Sequence, residues 1–426
     1  MSKIACGIDF GTTNSAVSIV QNPQSPLLVP LENGKLTMPT AVFYPEASSK
    51  PLFGSAAIAA YINGERGRFM RSMKRILGSD LMDSGTRVNG VMMRFEQILG
   101  HFVGNLKHQA EYFAAAPCDC VVMGRPVHFR DFDPAGDRRA ENELRQIALS
   151  AGFKNVEFQF EPIAAAYAHE AKLTREQLAC VVDIGGGTSD FALIKIGGGL
   201  KHKTDRTDDI LANTSVRIGG NDFDKDLSLK CFMPKFGFGT LSGGKSAHDK
   251  VLLPLATIPY HTLSEWSSVN SMYAPKEIIF VKKMLYAAQE PEKVGRLVEL
   301  LENECGHSLL AAVEQAKIDL TDKESTSAVL DFISDRPEIN ATRPAFETSI
   351  QRDLENVSAS IGECLKLAQI QPEAVQMVIL TGGSTEIPLI QHQIHQIFPN
   401  AVLSQENKLS SVGLGLAYDA DRRFNK

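Results

Sequence analysis

Two short segments pair a carboxylate with a glycine- and threonine-rich turn. Residues 7–14 read Gly-Ile-Asp-Phe-Gly-Thr-Thr-Asn, and residues 181–190 read Val-Val-Asp-Ile-Gly-Gly-Gly-Thr-Ser-Asp. A tight turn with exposed backbone N–H groups and hydroxyls makes a concavity for phosphate oxygens. Glycine suits it because a Cβ would keep the backbone away from the anion. An acid just ahead of such a turn repels phosphate unless a cation lies between them, so Asp9 and Asp183 suggest magnesium, held directly or through water. Gly11, Thr12, Thr13 and Asn14 then form one candidate phosphate turn, and Gly185, Gly186, Gly187 and Thr188 a second. Either turn alone reads equally well as an ordinary hairpin; it is the repetition that points to phosphate. A third turn, Thr381-Gly382-Gly383-Ser384, follows an apolar run and precedes a helical pattern, a place for a nucleotide's phosphates or sugar. Neither the Walker A nor the Rossmann glycine pattern occurs at these turns, which weakens those nucleotide classes.

The elements that must hold these turns follow from periodicity. Apolar run, Gly-rich break, apolar run is a hairpin pattern, and two hairpins half a chain apart imply two related lobes. Strand-like Cys120–Met123, a helix from about Ala135 to Ala151 closed by Gly152, and a helix from Ile163 after Glu161-Pro162 follow. Later come helical spacing over Ile350–Ile370, a buried strand at Val375–Leu380 and a helix at Leu389–Ile397. This alternation predicts α/β lobes. Residues of about 199–275 are glycine-rich with weak periodicity and read as a less regular insertion, and about 37–108 as another.

Composition removes several function classes. The chain has 426 residues, 43% hydrophobic and 22% charged, with net charge −6, so it is neither disordered nor a basic nucleic-acid binder. Its length exceeds what a single core sustains. Seven cysteines lack paired spacing; Cys118 and Cys120 are expected on one face of a strand, as reduced cysteines of which at least one is buried rather than a metal or redox pair. His392 and His395 stand at i, i+3 without a carboxylate ligand pattern, and packing is the default for Trp266 and Phe236-Gly-Phe238. Asp9 precedes any apolar leader, and Val251–Tyr260 contains two prolines and is too short to span a bilayer. A reducing, cytoplasmic setting without membrane contact is expected.

With these segments in order, the sequence resembles the nucleotide-binding domain of DnaK-type heat-shock chaperones, within the actin/hexokinase/DnaK superfamily. The resemblance covers nearly the whole chain. It rests on residues 7–15, Lys74-Arg-Ile-Leu-Gly78, Glu161-Pro162, Asp183–Thr188, Ile218-Gly-Gly-Asn-Asp-Phe-Asp224, Glu314-Gln-Ala-Lys317 and residues 378–385. Gly124-Arg-Pro126, residues 158–162 and Glu290-Pro-Glu-Lys293 point to a YegD-type subgroup.

The resemblance implies an α/β two-lobed actin-like ATPase fold with a duplicated ribonuclease H-like core and an inserted subdomain in each lobe. Lobe I is expected at 1–180 (insertion about 37–108) and lobe II at 181–409 (insertion about 221–311). Residues 410–426 would form a helix returning to lobe I, and no peptide-binding domain is expected after Ala417. It implies ATP/ADP and Mg2+ as cofactors, and a protein partner or client besides the nucleotide. Asp9 and Asp183 match the carboxylates of the magnesium shell. Lys74 matches the lysine that orients the attacking water, and Glu161 the acid that couples nucleotide state to lobe rotation; Asp183 and Thr188 join them in the catalytic group. Glu314, Lys317 and Thr321 match residues bordering ribose and adenine, and Gly219, Gly220, Gly382, Gly383 and Ser384 line the nucleotide.

The departures lie at the base end. Ile318 and Glu386 stand where the chaperones carry two arginines that sandwich adenine, and two lost cation–ring contacts at ~0.5–2 kcal/mol each weaken binding roughly tenfold to several-hundredfold. Asn221 replaces a usual Glu and Leu409 an acidic residue, and Arg138 and Arg139 are the candidates for a switch arginine. The expected function is slow magnesium-dependent ATP hydrolysis by a DnaK-like protein. The alternative is a nucleotide-sensing scaffold that binds a protein through lobe II. A small-molecule kinase or an actin-like filament protein ranks below both.

Overall fold

The computed structural model describes residues 4–20, 26–48, 50–130, 133–170, 173–200, 203, 205–243, 252–404 and 411–424. The chain divides into two compact units. One comprises residues 1–217, 358–385 and 391–426; the other comprises 218–357 and 386–390.

The first unit contains two sheets of the same topology. In one, β1 (Ile4–Phe10) and β2 (Asn14–Val20) form an antiparallel hairpin, with β3 (Leu27–Leu28) beside β2 and β4 (Cys118–Arg125) and β5 (Asn155–Phe160) running parallel on the far side of β1. In the other, β6 (Glu176–Ile184) and β7 (Ser189–Gly197) form the hairpin. There β8 (Ile210–Val216) flanks β7, while β9 (Met377–Thr381) and β10 (Val402–Ser404) lie parallel beyond β6. Relative to its hairpin each sheet therefore has strand order 3-2-1-4-5, and the two glycine turns lie at equivalent hairpin tips. The first strands are buried runs, as expected where both faces of a parallel sheet are covered.

Helix α1 (Pro134–Ser150) starts with Asp133 accepting from the Gly136 N–H and ends where Gly152 takes a positive φ. Helix α2 (Glu161–Glu170) follows β5 directly. The Ser411–Phe424 helix packs on α2, β1, β2 and β4. Small residues set that approach: a Cβ on Gly415 would fall 1.8 Å from the Ala164 carbonyl oxygen, and one on Gly7 2.6 Å from the Ala417 nitrogen.

The second unit is mainly helical, with α3 (Gly220–Leu227), α4 (Gly306–Asp322) and a two-stranded hairpin, Ser325–Val329 with Glu338–Thr342.

Two expectations need correction. Residues 199–275 are not uniformly irregular, because 210–216 form a complete strand. As the outer strand of its sheet β8 has no fully buried residue, being half-buried except at exposed Ser215, which blurs its periodicity. Cys118 and Cys120 do not share a face. Ile4 pairs with Cys118 but Ala5 with Cys120, and this bulge moves the two thiols into separate apolar clusters. All seven cysteines are free, and burial raises the Cys6 thiol well above its usual range, with Cys118 adding to the shift.

Candidate phosphate and cation site

Asp9 and Asp183 are the penultimate residues of β1 and β6, so each hairpin delivers its carboxylate beside its own turn. Gly11 is forced by the first turn, where a Cβ would fall 2.1 Å from the Asn14 oxygen. Thr40 braces that turn, its hydroxyl donating to the Gly11 carbonyl (2.8 Å) and its N–H to the Thr13 carbonyl (2.8 Å). In the second turn the Gly185 N–H bonds the Thr188 carbonyl (3.0 Å) and the Thr188 hydroxyl donates to Asp190 (3.1 Å).

The turns touch. A Cβ on Gly186 would lie 1.8 Å from Thr13 Oγ1, an oxygen that is buried and has no hydrogen-bond partner. The third turn closes on the same place: Gly382 has φ +82°, and a Cβ there would lie 2.3 Å from the Ile184 carbonyl oxygen and 2.7 Å from Asp183 Oδ1. Ser384 Oγ donates to the Gly185 carbonyl (3.4 Å). Gly383 is the first residue of the following 3-10 turn.

Lys74 sits on a 3-10 turn, Met73–Ile76, entered through Ser72 in the left-handed region. Its ammonium donates to Glu161 at 2.8 Å, with side chains only 11% and 14% exposed, so it is not a solvated surface lysine. Burial alone would lower its pKa, but the charges of Glu161, Asp9 and Asp183 outweigh that and raise it. The carboxylates move the other way. Burial, then the Glu161 charge, lifts Asp9 to about 7 against the pull of Lys74. Burial, then Asp190, Glu161 and Asp9, raises Asp183 well above the usual range. Asp190 faces Asp183 directly across the hairpin, a like-charge pair that destabilises the sheet without a cation.

Two residues of this candidate site are not singled out by the sequence. Asp190 was recoverable, since pairing Ile184 with Ser189 puts it opposite Asp183; Thr40, 25 residues from Ser15 to which its hydroxyl bonds, had no local signal.

This donor set fits magnesium and phosphate. Like-charged carboxylates with raised pKa values favour a divalent cation, and the orphaned Thr13 hydroxyl and the glycine-lined turns favour anionic oxygens. Among the described residues no group of three or more His, Cys, Asp or Glu could hold a metal ion.

The remaining residues lie in the second unit. Lys317, on α4, forms an ion pair with Asp224 (2.8 Å) and donates to the Gly220 carbonyl (3.1 Å), bringing α4 and the start of α3 together. The Gly219 N–H is taken by Asp222 (2.9 Å), and Asn221 lies in the same first turn. Glu314, Lys317, Ile318 and Thr321 share helical spacing on α4; Ile318 is 52% exposed, and the Thr321 hydroxyl bonds back to Lys317. Glu386 also belongs to this unit. Arg139 is spent on Glu143, Asp83 and Asp80, and neither it nor exposed Arg138 is bonded to Glu161. Leu409 lies outside the described residues.

The Hsp70 protein family model matches residues 5–239 and 286–421. The chain belongs to the Hsp70 family. As an Hsp70 member it has the actin-like ATPase fold, and its paired sheets are that fold's duplicated core. It is similar to the proteins named chaperone protein DnaK of Thermosipho melanesiensis, 26% identical over 97% of this chain and 58% of the relative. The DnaK of Thermotoga maritima is 25% identical over 98% and 59%. The chain thus spans under three-fifths of these relatives' length. The stretch that the Hsp70 model leaves unmatched, 240–285, includes the short Leu241–Ser242/Leu253–Pro254 hairpin and most of the Pro275–Ala287 helix. Among the described residues no helix is long and apolar enough to cross a membrane.

The carboxylates give a pH prediction. With a folded pKa of about 7 for Asp9 and an unfolded value near 3.9, the folded state keeps a proton that the unfolded state releases, so stability without divalent ions falls as pH rises between those values. Asp183 shifts in the same sense. Thermal melts in Mg2+ and in EDTA from pH 5 to pH 8 should show a magnesium-induced gain that grows with pH; a gain independent of pH contradicts the assignment.

Proposed function

We propose that this Hsp70-family chain binds ATP and ADP with Mg2+ and hydrolyses ATP slowly. The observation that supports this most is the meeting of two carboxylate-bearing hairpin turns at the orphaned Thr13 hydroxyl, beside the Lys74–Glu161 pair. Asp9 and Asp183 would hold the hydrated ion, which when bound would neutralise phosphate charge. The turns at 11–14 and 185–188 offer backbone N–H groups to phosphate oxygens, and Gly382–Ser384 closes the same end. Lys74, kept charged by its carboxylate neighbours, would donate an N–H hydrogen bond to a water or a terminal phosphate oxygen. Glu161 fixes where that nitrogen sits. Phosphoryl transfer asks mainly for such positioning and charge neutralisation.

The two sheets serve as the cores of lobe I (1–180) and lobe II (181–409), with 410–426 returning to lobe I. A cytoplasmic chaperone or co-chaperone of YegD type, acting with a protein client, is the cellular role this supports. A second reading, nucleotide sensing with negligible turnover and a protein partner on lobe II, draws on the exposed Ile318 and the acidic Glu386 at the base end. Phosphate release from ATP by the purified chain, with Mg2+ and with EDTA, separates them. Magnesium-dependent release is expected; binding without release favours the sensor, and neither binding nor release rejects both.

A further inference from the structure

Gly124-Arg-Pro126 has no part in the phosphate turns, yet it lies against Glu161. Gly124 leaves room for that side chain, since a Cβ there would be 3.2 Å from Glu161 Cγ. Arg125, the last residue of β4, pairs in register with Phe160, the last residue of β5 and the neighbour of Glu161. Its guanidinium lies 5.1 Å from the Phe160 ring centroid and 5.3 Å from that of Phe129. Each of its three nitrogens donates: Nε to the Pro126 carbonyl (3.1 Å), one terminal nitrogen to the Val127 carbonyl (3.2 Å) and Asp137 (2.9 Å), and the other to Glu141. Asp137 in turn accepts from the Phe129 N–H, so the loop 126–129 is folded over this one cation and tied to α1. The side chain is 13% exposed. A planar cation that stacks and donates from every edge fixes both orientation and distance, which a lysine cannot do.

We infer that Arg125 is a positioning residue that holds Glu161 against Lys74 by clamping Phe160 and the loop 126–129. It touches neither Glu161 nor Lys74 through a hydrogen bond of its own; the geometry is passed through the ring and the start of α2. The inference rests on the Lys74–Glu161 pair being the working end of the proposed phosphate site, but its consequence can be read without nucleotide. A guanidinium that only pinned the loop to α1 would leave that pair undisturbed.

The test is a double-mutant cycle of Arg125→Met and Glu161→Gln on the full chain, reading the acylation rate of Lys74 by mass spectrometry in the absence of nucleotide. Circular dichroism and thermal melts verify that each variant is folded. Glu161→Gln frees the ammonium and should raise its labelling several-fold. Arg125→Met should raise it by a similar factor, and the double variant should label no faster than Glu161→Gln alone. Phe160→Leu, which removes the stacking ring and leaves the ion pairs of Arg125 intact, should behave like Arg125→Met and serves if the latter does not fold. Arg125→Lys should not rescue. Labelling unchanged in Arg125→Met or Phe160→Leu, or effects that multiply with Glu161→Gln, overturns the inference. Absence of ATP binding by the wild-type chain would instead reject the proposed function and leave the labelling result standing.

Discussion

Lys74→Ala is expected to slow ATP turnover about 100- to 1000-fold, the usual cost of removing one preorganised donor from a charge-developing site, while changing nucleotide affinity far less. Three features set the size. The side chain is 11% exposed and its ammonium is bonded to Glu161 at 2.8 Å, so its position is fixed before any ligand arrives. Its charge is kept by three surrounding carboxylates. The substitution also leaves Glu161, Asp9 and Asp183 facing one another without their cation, which pushes Asp9 above its value of about 7 and strengthens the dependence on magnesium. Affinity should hold because both glycine turns and Thr13 are untouched. Steady-state phosphate release and calorimetric Kd on the same variant check both halves. An unchanged rate in a chain that hydrolyses ATP would mean the lysine has been misassigned.

Gly415→Ala should be the most destabilising single methyl addition in the first unit. The added Cβ would lie 1.8 Å from the Ala164 oxygen and 2.5 Å from its carbonyl carbon. These are backbone atoms of α2, so no rotamer change relieves the clash. Either the Ser411–Phe424 helix or α2 must move, at a cost of about 3 kcal/mol or more. Because α2 begins at Glu161, turnover should fall in the molecules that remain folded. Gly295→Ala is the matched control. It lies inside the Pro291–Glu302 helix, where an added methyl would meet nothing within 4 Å, and should be neutral or stabilising by about 0.4–1 kcal/mol. Urea denaturation of the two variants against wild type measures the difference; equal stability of both would refute the packing account of helix 411–424.

What the sequence disclosed depended on distance along the chain. Hairpins, their carboxylates and their glycines are local, and periodicity placed β1/β2 and β6/β7 with their turns. The α1 helix and its Gly152 terminus were legible for the same reason. Lys74 and Glu161 are 87 positions apart; the family resemblance singles out each with a separate role, and only the fold pairs them. Thr40 acts through bonds to Gly11, Thr13 and Ser15 that form only on folding, and Arg125, quoted in the sequence only within the subgroup segment Gly124-Arg-Pro126, acts through a ring stack. The cysteine error has another cause. A period of two holds only in a regular strand, and the single extra residue opposite Ile4/Ala5 sends Cys120 to the other face. β8 was overlooked because its residues are all partly exposed, which removes the contrast that periodicity needs.

The central claim is that Asp9, Asp183 and the paired turns form a magnesium-assisted phosphate site. Calorimetric titration of the purified chain with ATP in excess Mg2+, repeated in EDTA and with adenosine in place of ATP, tests it most directly. Saturable ATP binding with magnesium is predicted, with a loss of at least about tenfold in affinity without it, and far weaker binding of adenosine, since the recognised end is the phosphates. ATP binding that is indifferent to magnesium, or adenosine binding as tight as ATP, would contradict it.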